Sequence, residues 1–125
     1  MWQKLACLVV AGGLGTLARY GLSGLVQRLT AAEFPWGTLV VNVVGCLVFG
    51  LLWAVAENRL AIGPSARTVL FVGFFGAFTT FSSFAFETGQ LIDASRWLAA
   101  GGNILLQNGL GLAGMFAGLA LGRWI

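Results

Sequence analysis

Apolar residues in this sequence fall into four long blocks, and nearly all the charges stand in the gaps between them. Beyond Lys4 the first block runs from Leu5 to about Val26, broken only by Arg19. The second, free of charge, runs from Phe34 to Ala56, the third from Thr68 to Phe86 and the fourth from Trp97 to Gly122. A helix needs about 20 mainly apolar residues to cross about 30 Å of hydrocarbon. Blocks of 19 to 26 residues therefore predict four membrane-spanning helices, at about 3–28, 35–57, 66–92 and 96–124, forming one domain over 1–125. Pro35 before Trp36 and Gly63-Pro64 before the third block mark helix starts and a turn. Trp2, Trp36, Trp97 and Trp124 sit at block ends, as interfacial anchors do. A secretory signal peptide is the competing reading of the N-terminus, because Lys4 precedes an apolar stretch. No small-residue cleavage site leads into a soluble domain, and three more apolar blocks follow, so a helix is expected there.

Composition agrees with the pattern. Hydrophobic residues make up 58% of the 125 and charged ones 9%, against about 25% charged in a soluble domain. There are no histidines, and the acids are only Glu33, Glu57, Glu87 and Asp93, which removes most acid–base and metal chemistry. An enzyme is not expected. The net charge of +3 comes from cations scattered singly, with no basic run suited to nucleic acid. Cys7 lies near the start of the first block and Cys46 about ten residues into the second, which runs the opposite way, so at about 1.5 Å per residue their depths differ by about 12 Å. A disulfide needs Cα atoms within about 7 Å, so both are expected as small apolar fillers.

With four spans, Lys4, Arg59, Arg67 and Arg123 lie on one side of the membrane, and Arg28 and Arg96 on the other with Arg19 near it. That is a weak positive-inside bias. A chain with so little bias can insert both ways, and opposite insertions reproduce the inverted repeat found inside single-chain transporters. Four helices are also too few to enclose a conduit, so an antiparallel homodimer is expected.

The polar positions inside the blocks carry the candidate chemistry. The third block contains Gly73-Phe74-Phe75-Gly76-Ala77-Phe78-Thr79-Thr80-Phe81-Ser82-Ser83-Phe84, whose Gly, Thr and Ser residues disfavour a continuous helix near its centre. The break is expected near 76–80. Carbonyls freed at such a break coordinate cations in other membrane proteins. On a twofold axis, the Gly76 and Thr79 carbonyls of two chains would give one ion about four oxygens. A kinked, glycine-packed helix is the plainer alternative. Phe74, Phe78, Phe81 and Phe84 would form one stripe on a helix, either as packing or as ring edges that hold a dehydrated anion. Asn42, with Thr38 one turn earlier, can bond a neighbouring helix or face a pore. Asn103 and Gln107, beside Asn108, give the fourth helix a polar face. Gly114, Gly118 and Gly122 read as close helix packing. Arg19 is the only ionisable residue well inside a block, a position functional by default. Glu87 closes the third block as an interfacial charge or a vestibule residue.

These residues resemble the Fluc (CrcB) fluoride channel family along nearly the whole chain. The resemblance lies in Gly12-Gly13-Leu14-Gly15 with Arg19, in Gly37-Thr38-Leu39-Val40-Val41-Asn42-Val43-Val44-Gly45, and in Gly73 through Phe84. It implies an all-α, multi-pass protein of a prokaryotic-type inner (plasma) membrane. The implied assembly is a dual-topology antiparallel homodimer, its broken third helices holding a structural sodium ion through the Gly76 and Thr79 carbonyls. It further implies passive fluoride export along two pores, with Phe81 and Phe84 as pore aromatics, Asn42 as pore amide and Arg19 as the vestibule-side cation. Ser83 stands where Thr is expected in many relatives, keeping the hydroxyl. The fourth helix matches only loosely, so Asn103 and Gln107 rest on their own pattern. Fluoride is small and tightly hydrated, and Asn42, Thr80, Ser83 and the Phe81 and Phe84 edges are suitable donors to replace its water. A small dual-topology multidrug antiporter is the alternative, but it depends on an acid in the first helix, where this chain has only Arg19. A structural or hole-forming subunit leaves the run from Thr79 to Phe84 unexplained.

Overall fold

Four spans long and apolar enough to cross a bilayer make up the computed structural model, which describes residues 1–58 and 62–125. Helix α1 covers Trp2–Thr30 and α2 covers Trp36–Asn58. The third span is two helices, α3 over 64–78 and α4 over Phe81–Asp93, and the fourth is α5 over Trp97–Trp124. Among the described residues there is no strand.

The connectors are tied by polar side chains that the bilayer interior would not tolerate unpaired. At the first turn Gln27 donates from Nε2 to the carbonyls of Ala32 (2.6 Å) and Phe34 (3.1 Å) and accepts the Gly37 N–H at 3.1 Å. Glu33 in the same connector pairs with Arg96 in the α4–α5 connector at 2.6 Å, so these two turns lie on one side of the bundle. On the other side Arg67 donates to the Ala56 carbonyl near the end of α2 at 2.8 Å and lies 5.8 Å from the Trp53 ring centre. Arg59, counted with that side in the charge balance, lies outside the described residues.

Packing uses two different surfaces. α2 packs most extensively on α5, through small residues: a β-carbon at Gly118 would strike the Leu47 carbonyl, and one at Gly122 would sit 2.5 Å from the Leu51 carbonyl. This is the close backbone approach expected of the Gly114, Gly118 and Gly122 repeat. The other surface is aromatic. Phe71 and Phe75 of α3 are buried against Phe49 of α2, with ring centres at 4.8 and 5.5 Å, and Trp53 meets Phe71 edge-on at 5.0 Å. Along this surface Thr68–Phe75 winds as a π-helix, a wider turn that is often found at functional sites. Gly73 within it lies against Ala11 and Leu8 of α1.

The third span breaks at two residues. Thr79 (φ −81°, ψ 156°) and Thr80 (φ −149°, ψ 112°) are extended, while Gly76 remains helical at φ −62°, ψ −30°. The break therefore falls at the end of the window 76–80. Gly45 on α2 makes room for it, since a β-carbon there would strike the Thr79 methyl. Because the helix is interrupted, the expected single stripe of phenylalanines is split in two. Phe74 and Phe78 stack on α3 (5.9 Å, 9°), and Phe81 and Phe84 meet edge-on on α4 (5.3 Å, 66°).

Candidate functional site

A helix leaves its last four carbonyls and first four N–H groups without intrahelical partners. At Thr79–Thr80 one helix ends and another begins in mid-span, where no bulk water can satisfy them. Asn42 supplies two partners: its Oδ1 accepts the Thr80 N–H at 2.8 Å, and its Nδ2 donates to the Thr80 carbonyl at 3.1 Å. Arg19 supplies a third, donating from Nε to the Ala77 carbonyl at 3.0 Å. The Thr80 hydroxyl caps α4 by accepting the Ser83 N–H at 3.2 Å. The carbonyls of Gly76, Phe78 and Thr79 meet no donor among the described residues. Electrostatically the two ends differ: the carbonyl end of α3 suits a cation such as Arg19, and the N–H end of α4 suits an anion.

Two grooves flank the break, and Thr80 lines both. The larger, of about 410 Å³, lies between α1, α2 and α4 and gathers Arg19, Ser23, Thr38, Ser83 and Glu87. Glu87 is half-buried on this groove: its Oε1 accepts the Thr38 hydroxyl at 2.6 Å, and its buried Oε2 has no partner among the described residues. The smaller groove, of about 220 Å³, gathers Asn42, Cys46, Phe81, Phe84, Gln107 and Asn108. Thr38 and Asn42, expected on one face of α2, thus serve different grooves. Phe84 is buried at 8% exposure, whereas the Phe81 ring projects from the chain at 75%. Cys7 is exposed on α1 and both thiols are free.

Asn42 both lines the smaller groove and bonds a neighbouring helix. Its second amide hydrogen goes to Gln107 Oε1 at 3.0 Å, so both hydrogens are engaged within the chain. Asn103, fully buried at 0% exposure, lines neither groove. Its Nδ2 donates to the Thr88 hydroxyl at 2.9 Å, which in turn donates to the Phe84 carbonyl at 2.8 Å. Asn103 Oδ1 and Gln107 Nε2 are buried without partners among the described residues. Among the described residues no cluster of three His, Cys, Asp or Glu side chains could hold a metal ion.

The sequence matches the family described as CrcB-like protein, Camphor Resistance (CrcB), over residues 6–119. The chain belongs to the CrcB family. It is 54% identical over 125 residues, the full length of both chains, to the fluoride-specific ion channel FluC of Nitrosococcus oceani. It is 53% identical, again over the full length of both, to the FluC of Solidesulfovibrio magneticus. The FluC of a Roseiflexus species is 40% identical, covering 97% of this chain and 98% of that one. Sequence reasoning singled out most of the polar residues of this CrcB chain but missed Gln27, Thr88 and the lining role of Cys46. Gln27 was hidden by its place at the end of an apolar block. Thr88 stands four residues beyond Phe84, a spacing that could have marked it.

Proposed function

We propose that the chain is one half of an antiparallel, dual-topology homodimer that passes fluoride down its gradient across a prokaryotic-type inner (plasma) membrane, along two pores, and catalyses no reaction. One observation carries the reading: a mid-span helix break in a chain 54% identical, end to end, to a protein named fluoride-specific ion channel. The break supplies a physical rationale. Fluoride must exchange its water for close donors while staying loosely enough held to leave. The N–H end of α4, the Ser83 hydroxyl, which accepts from Thr80 Oγ1 and keeps its own hydrogen, and the positive edges of Phe81 and Phe84 are such donors. Arg19 adds a positive charge beside the larger groove, and Glu87, already accepting from Thr38, limits how tightly an anion is held there.

The exposed Phe81 ring supports a second copy, because half of any cage it helps to form lies outside this chain. Gly76 supports it too: it is exposed, and nothing lies within 4 Å of where its β-carbon would stand. The donor set at the break fits a sodium ion, being neutral main-chain oxygens without carboxylates. The Gly76 and Thr79 carbonyls, which lack donors among the described residues, would hold it together with those of the second copy. Once bound, sodium would supply a fixed positive charge joining two helix ends. Arg19 already occupies the Ala77 carbonyl, which leaves Gly76 and Thr79 on either side of it.

Sodium in this role is not transported. Fluoride release from liposomes should proceed at the same rate under inward, outward or no sodium gradient, and prolonged sodium removal should loosen the dimer. A rate that follows the sodium gradient would indicate coupled transport instead. Cysteine tags at either terminus, in a Cys7→Ser, Cys46→Ser background, should be labelled from both sides of the membrane. Labelling from one side alone would remove the antiparallel dimer.

A further inference from the structure

We infer that Gln107 is a positioning residue that acts on the helix break through Asn42. The inference rests on the fluoride-channel reading above and deepens it by naming what holds the Asn42 amide in place. The orientation of this network follows from the main chain outward. The Thr80 N–H can only donate, so it fixes which end of the Asn42 amide is oxygen. The two hydrogens on Nδ2 then go to the Thr80 carbonyl and to Gln107 Oε1. Gln107 must therefore present its oxygen to Asn42, leaving its Nε2 as a buried donor without a partner among the described residues.

That arrangement spans three elements: α5 holds α2, and α2 holds both polar groups of the extended residue between α3 and α4. Gln107 is 7% exposed, so no solvent can replace it. An Asn42 amide held only by Thr80 keeps one hydrogen free to bind the passing anion too tightly or to turn away from the break. Gln107 removes that freedom. Gln107 itself lines the smaller groove, which makes direct contact with the anion the competing role, and the two roles separate by experiment.

The decisive comparison is a double-mutant cycle on fluoride release from liposomes. Gln107→Met, which keeps length and loses both polar atoms, should slow release about tenfold, the scale of one lost buried hydrogen bond. In an Asn42→Ser background the same change should add less than about twofold, because partners in one network are not additive. Multiplicative losses would show that Gln107 acts on the ion by itself and would overturn the inference. A second readout needs no transport. In the NMR spectrum of the wild-type protein both Asn42 side-chain amide protons should be protected from exchange, one should lose protection in Gln107→Met, and Gln107→Glu, which keeps an acceptor, should restore it. An unprotected proton in the wild type would overturn the inference even if Gln107→Met failed to fold. A wild type with both protons protected but no fluoride release would instead overturn the channel reading and leave the Gln107–Asn42 link standing.

Discussion

The same pair of helices, α2 and α5, is joined in two opposite ways along its length. From Leu47 onward backbone lies on backbone, with Gly118 and Gly122 leaving no room for a side chain. Toward the break the contact loosens, a β-carbon at Gly114 standing 3.1 Å from the Val43 carbonyl and one at Gly111 3.9 Å from the Cys46 sulfur, and Asn42 and Gln107 reach across by a hydrogen bond. In lipid the first kind of contact comes from dispersion between close-packed backbones, and the second from the cost of leaving a polar group unpaired. The dry seam can stay rigid without any polar group, so it anchors the scaffold. The polar end spends its hydrogen bonds on a neighbouring break, so its value lies in shaping Thr80 rather than in joining the helices.

The largest effect should come from the seam. Gly118→Leu places a side chain on the Leu47 carbonyl and should cost more than about 3 kcal/mol, the upper scale of overpacking, with loss of the monodisperse peak in detergent gel filtration. Gly114→Ala, whose β-carbon would stand 3.1 Å from the Val43 carbonyl, should be far milder, and equal damage from both would break the contrast between a tight and a loosening seam. Substitutions at the polar end should spare the fold and reduce fluoride flux. Asn42→Asp leaves no donor for the Thr80 carbonyl or for Gln107 Oε1 and should slow release about 100-fold, the scale of unpairing buried polar groups by up to 3 kcal/mol. Phe81→Ile and Phe84→Ile keep bulk and lose the ring edge, and each should slow it about tenfold, the scale of one aromatic edge contact. Unchanged flux in both phenylalanine variants would return those rings to packing alone.

Bilayer thickness made the four spans legible, because it sets block length and leaves nearly all the charges in the gaps. The break was legible to within a few residues, since Thr79 and Thr80 have side chains that compete with helical hydrogen bonds. Its partners were not. Arg19 reaches the Ala77 carbonyl across 58 positions and Asn42 reaches Thr80 across 38, and neither spacing has a periodic signature. The stripe of four phenylalanines failed for a related reason: helical periodicity counts through the break as though it were absent. The π-helical turn over Thr68–Phe75 also left no mark. Its residues include no breaker other than Gly73, and its contacts, Phe71 on Phe49 and Gly73 on Ala11 and Leu8, are all long-range. Glu87 accepts from Thr38, 49 positions away, another pairing without a periodic signature.

The most direct test of a fluoride-selecting break is the ratio of fluoride to chloride release from liposomes carrying the purified wild-type protein, recorded with ion-selective electrodes under identical gradients. Fluoride should leave rapidly and chloride hardly at all, because donors spaced for a small dehydrated anion do not replace the water of a larger one. Equal rates for the two anions, or no fluoride release above protein-free liposomes, would contradict it.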